Sequence, residues 1–110
     1  MTNSNVIEIT VDAAIFTPIT QNGITIYNAV YDTVNNVVNL DFSWVGDPLS
    51  GLSVQLFDTP YGTTDSFYIP PGPPDRYQRT LAAPNGVYWI YFMSNATTLL
   101  ILYPEQLVYD

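Results

Sequence analysis

At 110 residues the chain is long enough for one domain with a core of its own and too short for two, so residues 1–110 are read as a single unit. Apolar residues make up 47% and charged residues 11%, where an ordinary soluble domain is roughly a quarter charged, so few charges are available to coat an isolated molecule. The net charge of −8, with Arg76 and Arg79 as the only cations, argues against nucleic acid and anionic lipid as partners. The absence of Cys and His removes thiolate chemistry, disulfides, the usual general base and the commonest transition-metal ligand. No cofactor and no metal are expected.

Residues 6–11 alternate, with Ile7, Ile9 and Val11 on one side and Glu8, Thr10 and Asp12 on the other, as a half-buried strand does. Pro18 and the cluster Gln21-Asn22-Gly23 interrupt the chain. Ile24, Ile26 and Val30 then share one face of the next strand, with Tyr27 and Tyr31 opposite. Val38, Leu40, Phe42 and Trp44 alternate with Asn39, Asp41 and Ser43 in a second strand. Asn35-Asn36 between the two suits the positive φ of a tight hairpin turn. After Gly46-Asp47-Pro48, Leu52, Val54 and Leu56 mark another alternating strand.

From Asp58 to Asp75 six prolines and glycines beyond Pro60 leave few backbone donors, which predicts a long connection with at most a short strand at Ser66 to Ile69. Its aromatics, Tyr61, Phe67 and Tyr68, argue against disorder. Arg76 to Ala83 forms a further strand, turned by Pro84-Asn85-Gly86 into the hairpin Gly86 to Tyr103. Both arms of this hairpin are rich in aromatic and branched apolar residues. The sequon Asn95-Ala96-Thr97 between them reads as a turn. Pro104 ends the last clear strand, and Glu105 to Asp110 is a tail or a short edge strand.

No segment carries a helical repeat, and turn signals recur every eight to twelve residues or so. The fold class is therefore all-β, an antiparallel sandwich or jelly-roll-like barrel of seven to nine short strands. In the C-terminal hairpin the spacing places Val87, Trp89, Tyr91 and Met93 toward the core and Tyr88, Ile90 and Phe92 away from it. That second row needs cover, from a second layer of the chain or from another copy, and Tyr88, Ile90 and Phe92 are the expected oligomer contact. The apolar runs are shorter than the roughly 20 residues of a membrane helix, and the Met-Thr-Asn-Ser-Asn start lacks the basic stretch of a signal peptide. A soluble protein without membrane insertion is expected.

Without His, acid-base work would fall to carboxylates such as Asp58, Asp65 and Asp75, but no spacing pairs them and no catalytic motif is present, so the chain does not read as an enzyme. The candidate ligand site is a set of aromatics and polar groups that suits a saccharide, namely Tyr61, Tyr68, Asp75, Tyr77 and Arg79. The plainer alternative is that Tyr77 and Arg79 pack and pair with Asp residues at a sheet edge or a subunit contact.

The segment Ile-Pro-Pro-Gly-Pro-Pro-Asp-Arg-Tyr-Gln-Arg at 69–79, followed by a strand, the turn Pro-Asn-Gly, an aromatic strand and a closing apolar strand, resembles the end of phage tail-fibre and baseplate receptor-binding head domains. With the hairpin Tyr31 to Trp44 the resemblance spans residues 24–103. It implies a virion structural or adhesion protein, a β-sandwich that forms a homotrimer beside other virion proteins and binds cell-surface saccharide. The chain shows no shaft repeat before the head, which leaves a capsid-decoration subunit open. The reading from a different class is a monomeric carbohydrate-binding module.

Overall fold

The computed structural model describes residues 15–110, and the strand expected at residues 6–11 lies outside them. Nine strands make up the described chain: β1 (Ile19–Gln21), β2 (Ile24–Asp32), β3 (Val37–Trp44), β4 (Leu52–Thr59), β5 (Gly62–Ile69), β6 (Asp75–Ala82), β7 (Trp89–Ser94), β8 (Thr97–Leu102) and β9 (Val108–Tyr109). They form two sheets, one ordered β1-β2-β3-β6 with β9 also on the β2 edge, the other ordered β5-β4-β7-β8. All pairings are antiparallel except the short contact of β9 with β2. The result is a β-sandwich, the first of the two all-β forms that the alternation of the strands allows.

Three hairpins turn through residues in the left-handed backbone region. Asn22 and Gly23 both have positive φ in the two-residue β1–β2 turn, as do Asn95 and Ala96 in the β7–β8 turn, the arrangement that matches strand twist. In the β2–β3 turn Asn36 takes φ 58°, and the Asp32 carboxylate accepts the backbone N–H of Val34 at 2.9 Å and of Asn35 at 3.1 Å. Gly46, at φ 79°, lets the chain pass the backbone of Gly72 and Pro73, where a Cβ would collide. Gly72 N–H donates to Asp47 C=O there, pinning the proline-rich loop 70–74.

Between the sheets lie Val38, Leu40, Phe42 and Trp44 of β3 and Leu52, Val54 and Leu56 of β4, all buried as their alternation predicts. The Phe42 ring meets Phe92 edge-on at 5.5 Å across the core, and Phe67 and Tyr77 at 6.0 and 5.5 Å. Each such side chain fully withdrawn from water contributes about 1.5–3 kcal/mol.

Three expectations are corrected. In β7 the inward row is Ile90 and Phe92, both at 0% exposure, and these two are filled in against the other sheet of the same chain rather than held out for a neighbour. Of the expected contact trio only Tyr88, 42% exposed, reaches the surface, and it precedes the strand. The reason is the pairing of β7 with β4, which places Phe92 opposite Val54 and Ile90 opposite Leu56. In β2 a register shift between Ile26 and Asn28 reverses the alternation, so Ala29 and Tyr31 point inward and Val30 outward. Such a bulge adds a residue to one strand and moves every later side chain to the other face. Finally, the region after Asp58 is no open connection: β5 runs the full length of β4, because the prolines fall at its ends and leave Gly62–Ile69 free to pair.

The chain closes with one turn of 3-10 helix at Pro104–Gln106, where the Gln106 side chain accepts the Tyr103 N–H at 2.8 Å. Tyr109 of β9 stacks on Tyr31 at 5.6 Å and donates its hydroxyl to Pro104 C=O.

Candidate functional site

The two outer faces of the sandwich differ in chemistry. On the β1-β2-β3-β6 sheet, the outward rows read Thr25, Ser43, Arg76, then Asn28, Asp41, Gln78, then Val30, Asn39, Thr80. These polar groups satisfy one another. Arg76 forks onto Asp41 with two bonds of 2.9 Å and lies 3.9 Å above the Tyr27 ring. The Tyr27 and Ser43 hydroxyls share a 3.0 Å hydrogen bond, and Thr80 donates to the Asn39 side-chain oxygen at 2.7 Å. Hydrogen bonding from Arg76 holds the Asp41 carboxyl below the ordinary aspartate range, and the same bond raises the Arg76 guanidinium. This is the only ion pair among the described residues. Its partners stand 35 residues apart, so nothing in the sequence signals it.

On the β5-β4-β7-β8 sheet the outward rows are Phe57 beside Trp89, then Ser66, Gln55, Tyr91 and Ile101, then Tyr68, Ser53 and Met93. Phe57, Trp89, Tyr91, Met93 and Ile101 are half-buried by each other and lie outside the core cluster. Trp89 is the hub of the aromatic part, 4.4 Å from Tyr88, 5.5 Å from Tyr91 and 6.2 Å from Phe57 between ring centres. Its indole N–H is enclosed and has no hydrogen-bond partner. No Asp, Glu, Arg or Lys side chain stands in these rows. Of the two acids on the four strands, Asp65 accepts the Ala82 N–H of β6 at 2.8 Å. Asp58 is held near the hairpin end by Asn85 at 3.0 Å, and hydrogen bonds from Thr64 and Asn85 lower its pKa. The face is therefore a patch of aromatic and aliphatic groups with a rim of Ser53, Gln55, Ser66 and Tyr68.

The five residues expected to bind saccharide are not brought together. Tyr61 projects from the β4–β5 hairpin tip at 93% exposure, and Tyr68, 61% exposed, stands on the outer face of its sheet with its hydroxyl end over Gly51. Asp75 opens β6 on the other sheet and accepts the N–H of Arg76. Tyr77 points inward to Phe42, and Arg79 beside it lies 5.4 Å over the Tyr77 ring and 6.0 Å from Phe67. Tyr77 and Arg79 thus share one face of β6, as expected, and they close the flank between the sheets. That is packing of the kind named as the plainer alternative, although the carboxylate partner belongs to Arg76 rather than Arg79.

Of the three carboxylates weighed for acid-base work, Asp58 accepts from the Asn85 side chain, Asp65 from the Ala82 N–H, and Asp75 from the N–H of its neighbour Arg76. Among the described residues no helix is long and apolar enough to cross a membrane. Compared with protein-family models, with characterised proteins and with solved structures, the chain finds no match.

Proposed function

We propose that the protein is a non-enzymatic structural subunit that works by docking into a larger assembly, with a viral particle as the setting and adhesion to a cell surface as its use there. The single observation that carries this reading is the outer face of the β5-β4-β7-β8 sheet, an uncharged patch built on Phe57, Trp89, Tyr91, Met93 and Ile101 in a chain of net charge −8. An apolar patch rimmed by polar groups on a folded domain marks a contact surface more often than a solvated one. The particle setting rests on the resemblance at residues 69–79, and the proposed partners are copies of the chain and other virion proteins, with cell-surface glycan as the adhesive target. The trimer implied by that resemblance would need two different patches meeting around a three-fold axis, whereas one flat face is self-complementary about a two-fold.

Density-purified particles from the cells that produce the protein test the reading. Antibody label at fixed positions on the particle, with the chain recovered in constant proportion to the other particle proteins, is the expected result. Recovery of the chain wholly in the particle-free fraction overturns it.

A further inference from the structure

One groove on the surface carries no charge. Among the described residues, Glu105 lines the groove between the first and last segments, Asp41 and Arg79 the one on the polar sheet, and Asp47 the one beside the β1–β2 turn. A trough of about 430 Å³ at one end of the β5-β4-β7-β8 sheet has no charged side chain in its lining, and its volume is within the roughly 300–1,000 Å³ of small-molecule sites. It follows from the strand register. Tyr68, Ser53 and Met93 stand side by side on β5, β4 and β7, and a serine between two large side chains leaves a gap whose walls are two strand spacings, about 10 Å, apart. Gln55, two residues further along β4, continues the floor. Leu49, 88% exposed, and the turn residue Asn95 line the end.

The frame of the trough is fixed before any ligand arrives. The Asp47 carboxylate accepts the Leu49 and Ser50 N–H groups at 2.7 and 3.2 Å, and the Ser94 hydroxyl donates to the Gly51 C=O at 2.8 Å. Gly51 lets Tyr68 lie over this loop, because a Cβ there would meet the Tyr68 hydroxyl and the Ile69 C=O. The ring is nevertheless 61% exposed. The chain enters the described region toward the other end of the sandwich, where Ile15 lies beside Val108 and Tyr109, the partners of Val30 and Tyr31.

The lining selects the ligand. Tyr68 and Met93 offer apolar contact, while Ser53, Gln55 and Asn95 offer donors and acceptors. The Gln55 amide uses one N–H on the Ser53 hydroxyl at 3.3 Å and keeps its second N–H and its oxygen. A pyranose ring has the matching halves, a C–H face and a girdle of hydroxyls. The anchor side chain of a peptide instead needs an enclosed, desolvated pocket, which an open trough floored by serine and glutamine does not provide. Acidic sugars are repelled by a chain of net charge −8, whose two cations are engaged on the other sheet, Arg76 with Asp41 and Arg79 over Tyr77. We infer that the trough between Tyr68 and Met93 binds a neutral saccharide, with a sugar ring stacked on Tyr68 and its hydroxyls bonded to Ser53, Gln55 and Asn95. This deepens the adhesive part of the proposed function and rests on it for the place of that saccharide on a cell surface.

Titration of the full chain with oligosaccharides tests the site. The probes are neutral chains ending in glucose, galactose, mannose or N-acetylhexosamine, beside sialylated and uronate-bearing ones. At least one neutral probe is expected to bind with a dissociation constant below about 1 mM, and with little dependence on salt. Tyr68→Ala removes the stacking ring and weakens that probe roughly 10-fold or more. Ser53→Leu fills the trough and abolishes binding. Tyr61→Ala, an exposed aromatic at the far hairpin tip, leaves it unchanged. Because a leucine in mid-strand could disturb the sheet, the exposed Tyr68 decides. Undiminished binding by Tyr68→Ala overturns the inference, as does failure of every neutral probe at about 5 mM, tighter binding of the acidic probes, or an equal loss in Tyr61→Ala. A chain found at fixed positions on particles that binds none of these sugars keeps its structural role and loses this site. A chain that binds through Tyr68 and is recovered only free of particles keeps the site and loses the particle.

Discussion

The β7–β8 turn holds an alanine in a conformation that only glycine enters without cost, so Ala96→Gly should make the protein more stable. Asn95 and Ala96 have φ of 50° and 61° in a two-residue loop between Ser94 and Thr97, and a Cβ in the left-handed region costs about 1–2 kcal/mol. Ala96 is exposed, so removing its methyl forfeits no packing. Against the gain stands the larger freedom that glycine has in the unfolded chain, worth about 0.4–1 kcal/mol. The balance is a stabilisation of about 0.5–1 kcal/mol, or a rise in Tm of roughly 2–6 °C for a domain of this size. The β1–β2 turn offers the reverse experiment in the same molecule, because Asn22-Gly23 has the same geometry with glycine already in place. Gly23→Ala should lose stability by at least as much as Ala96→Gly gains, since its Cβ would also come within 2.7 Å of a Val45 methyl. Urea unfolding of the two variants beside wild type reads both signs. An unchanged or lowered midpoint for Ala96→Gly would refute the conformational reasoning, whatever Gly23→Ala does.

Three further outcomes follow from the core and the polar face. Phe92→Ala should cost about 3–5 kcal/mol, a large share of a small domain's stability, and Tyr91→Ala about 1 kcal/mol; equal losses in chemical denaturation would mean that the two faces of β7 are assigned the wrong way round. Tyr31→Phe removes a buried hydroxyl that donates to the Ala83 C=O at 2.6 Å; that carbonyl keeps the Gly86 N–H, so the loss should cost about 0.5–1.5 kcal/mol, against a thermal midpoint that does not move if the bond is immaterial. The Asp41 pKa is lowered in the folded state by Arg76, so its contribution to stability is present above the ordinary aspartate value and fades as the pH falls through the lowered one. Wild type should therefore be more stable than Asp41→Asn above about pH 4, with the gap in Tm closing at lower pH; a gap that is constant from pH 2 to 6 would deny the ion pair a role.

Composition and alternation are local, and what they determine survives folding. The rows Val38, Leu40, Phe42, Trp44 and Leu52, Val54, Leu56 are each apolar on one side only, so a single choice of face buries them and the sequence shows which. The turn at Asn35-Asn36 and the break at Gly46 were legible for the same reason, because each rests on the backbone preferences of one or two residues, whereas residues 105–110 left a tail and a short edge strand equally open until the pairing of β9 with β2 decided it. The parity of β7 was not legible. Trp89, Tyr91 and Met93 are as apolar as Ile90 and Phe92, and only pairing with β4, more than 30 residues earlier, turns the second row inward. The bulge at Tyr27 and Asn28 inverts the rest of β2 without any mark in its composition. The fork of Arg76 on Asp41 and the uncharged face beside Trp89 depend likewise on which strands become neighbours. Strand pairing is a property of the whole chain, since its energy lies in contacts between segments far apart in sequence, and only the tertiary structure decides it.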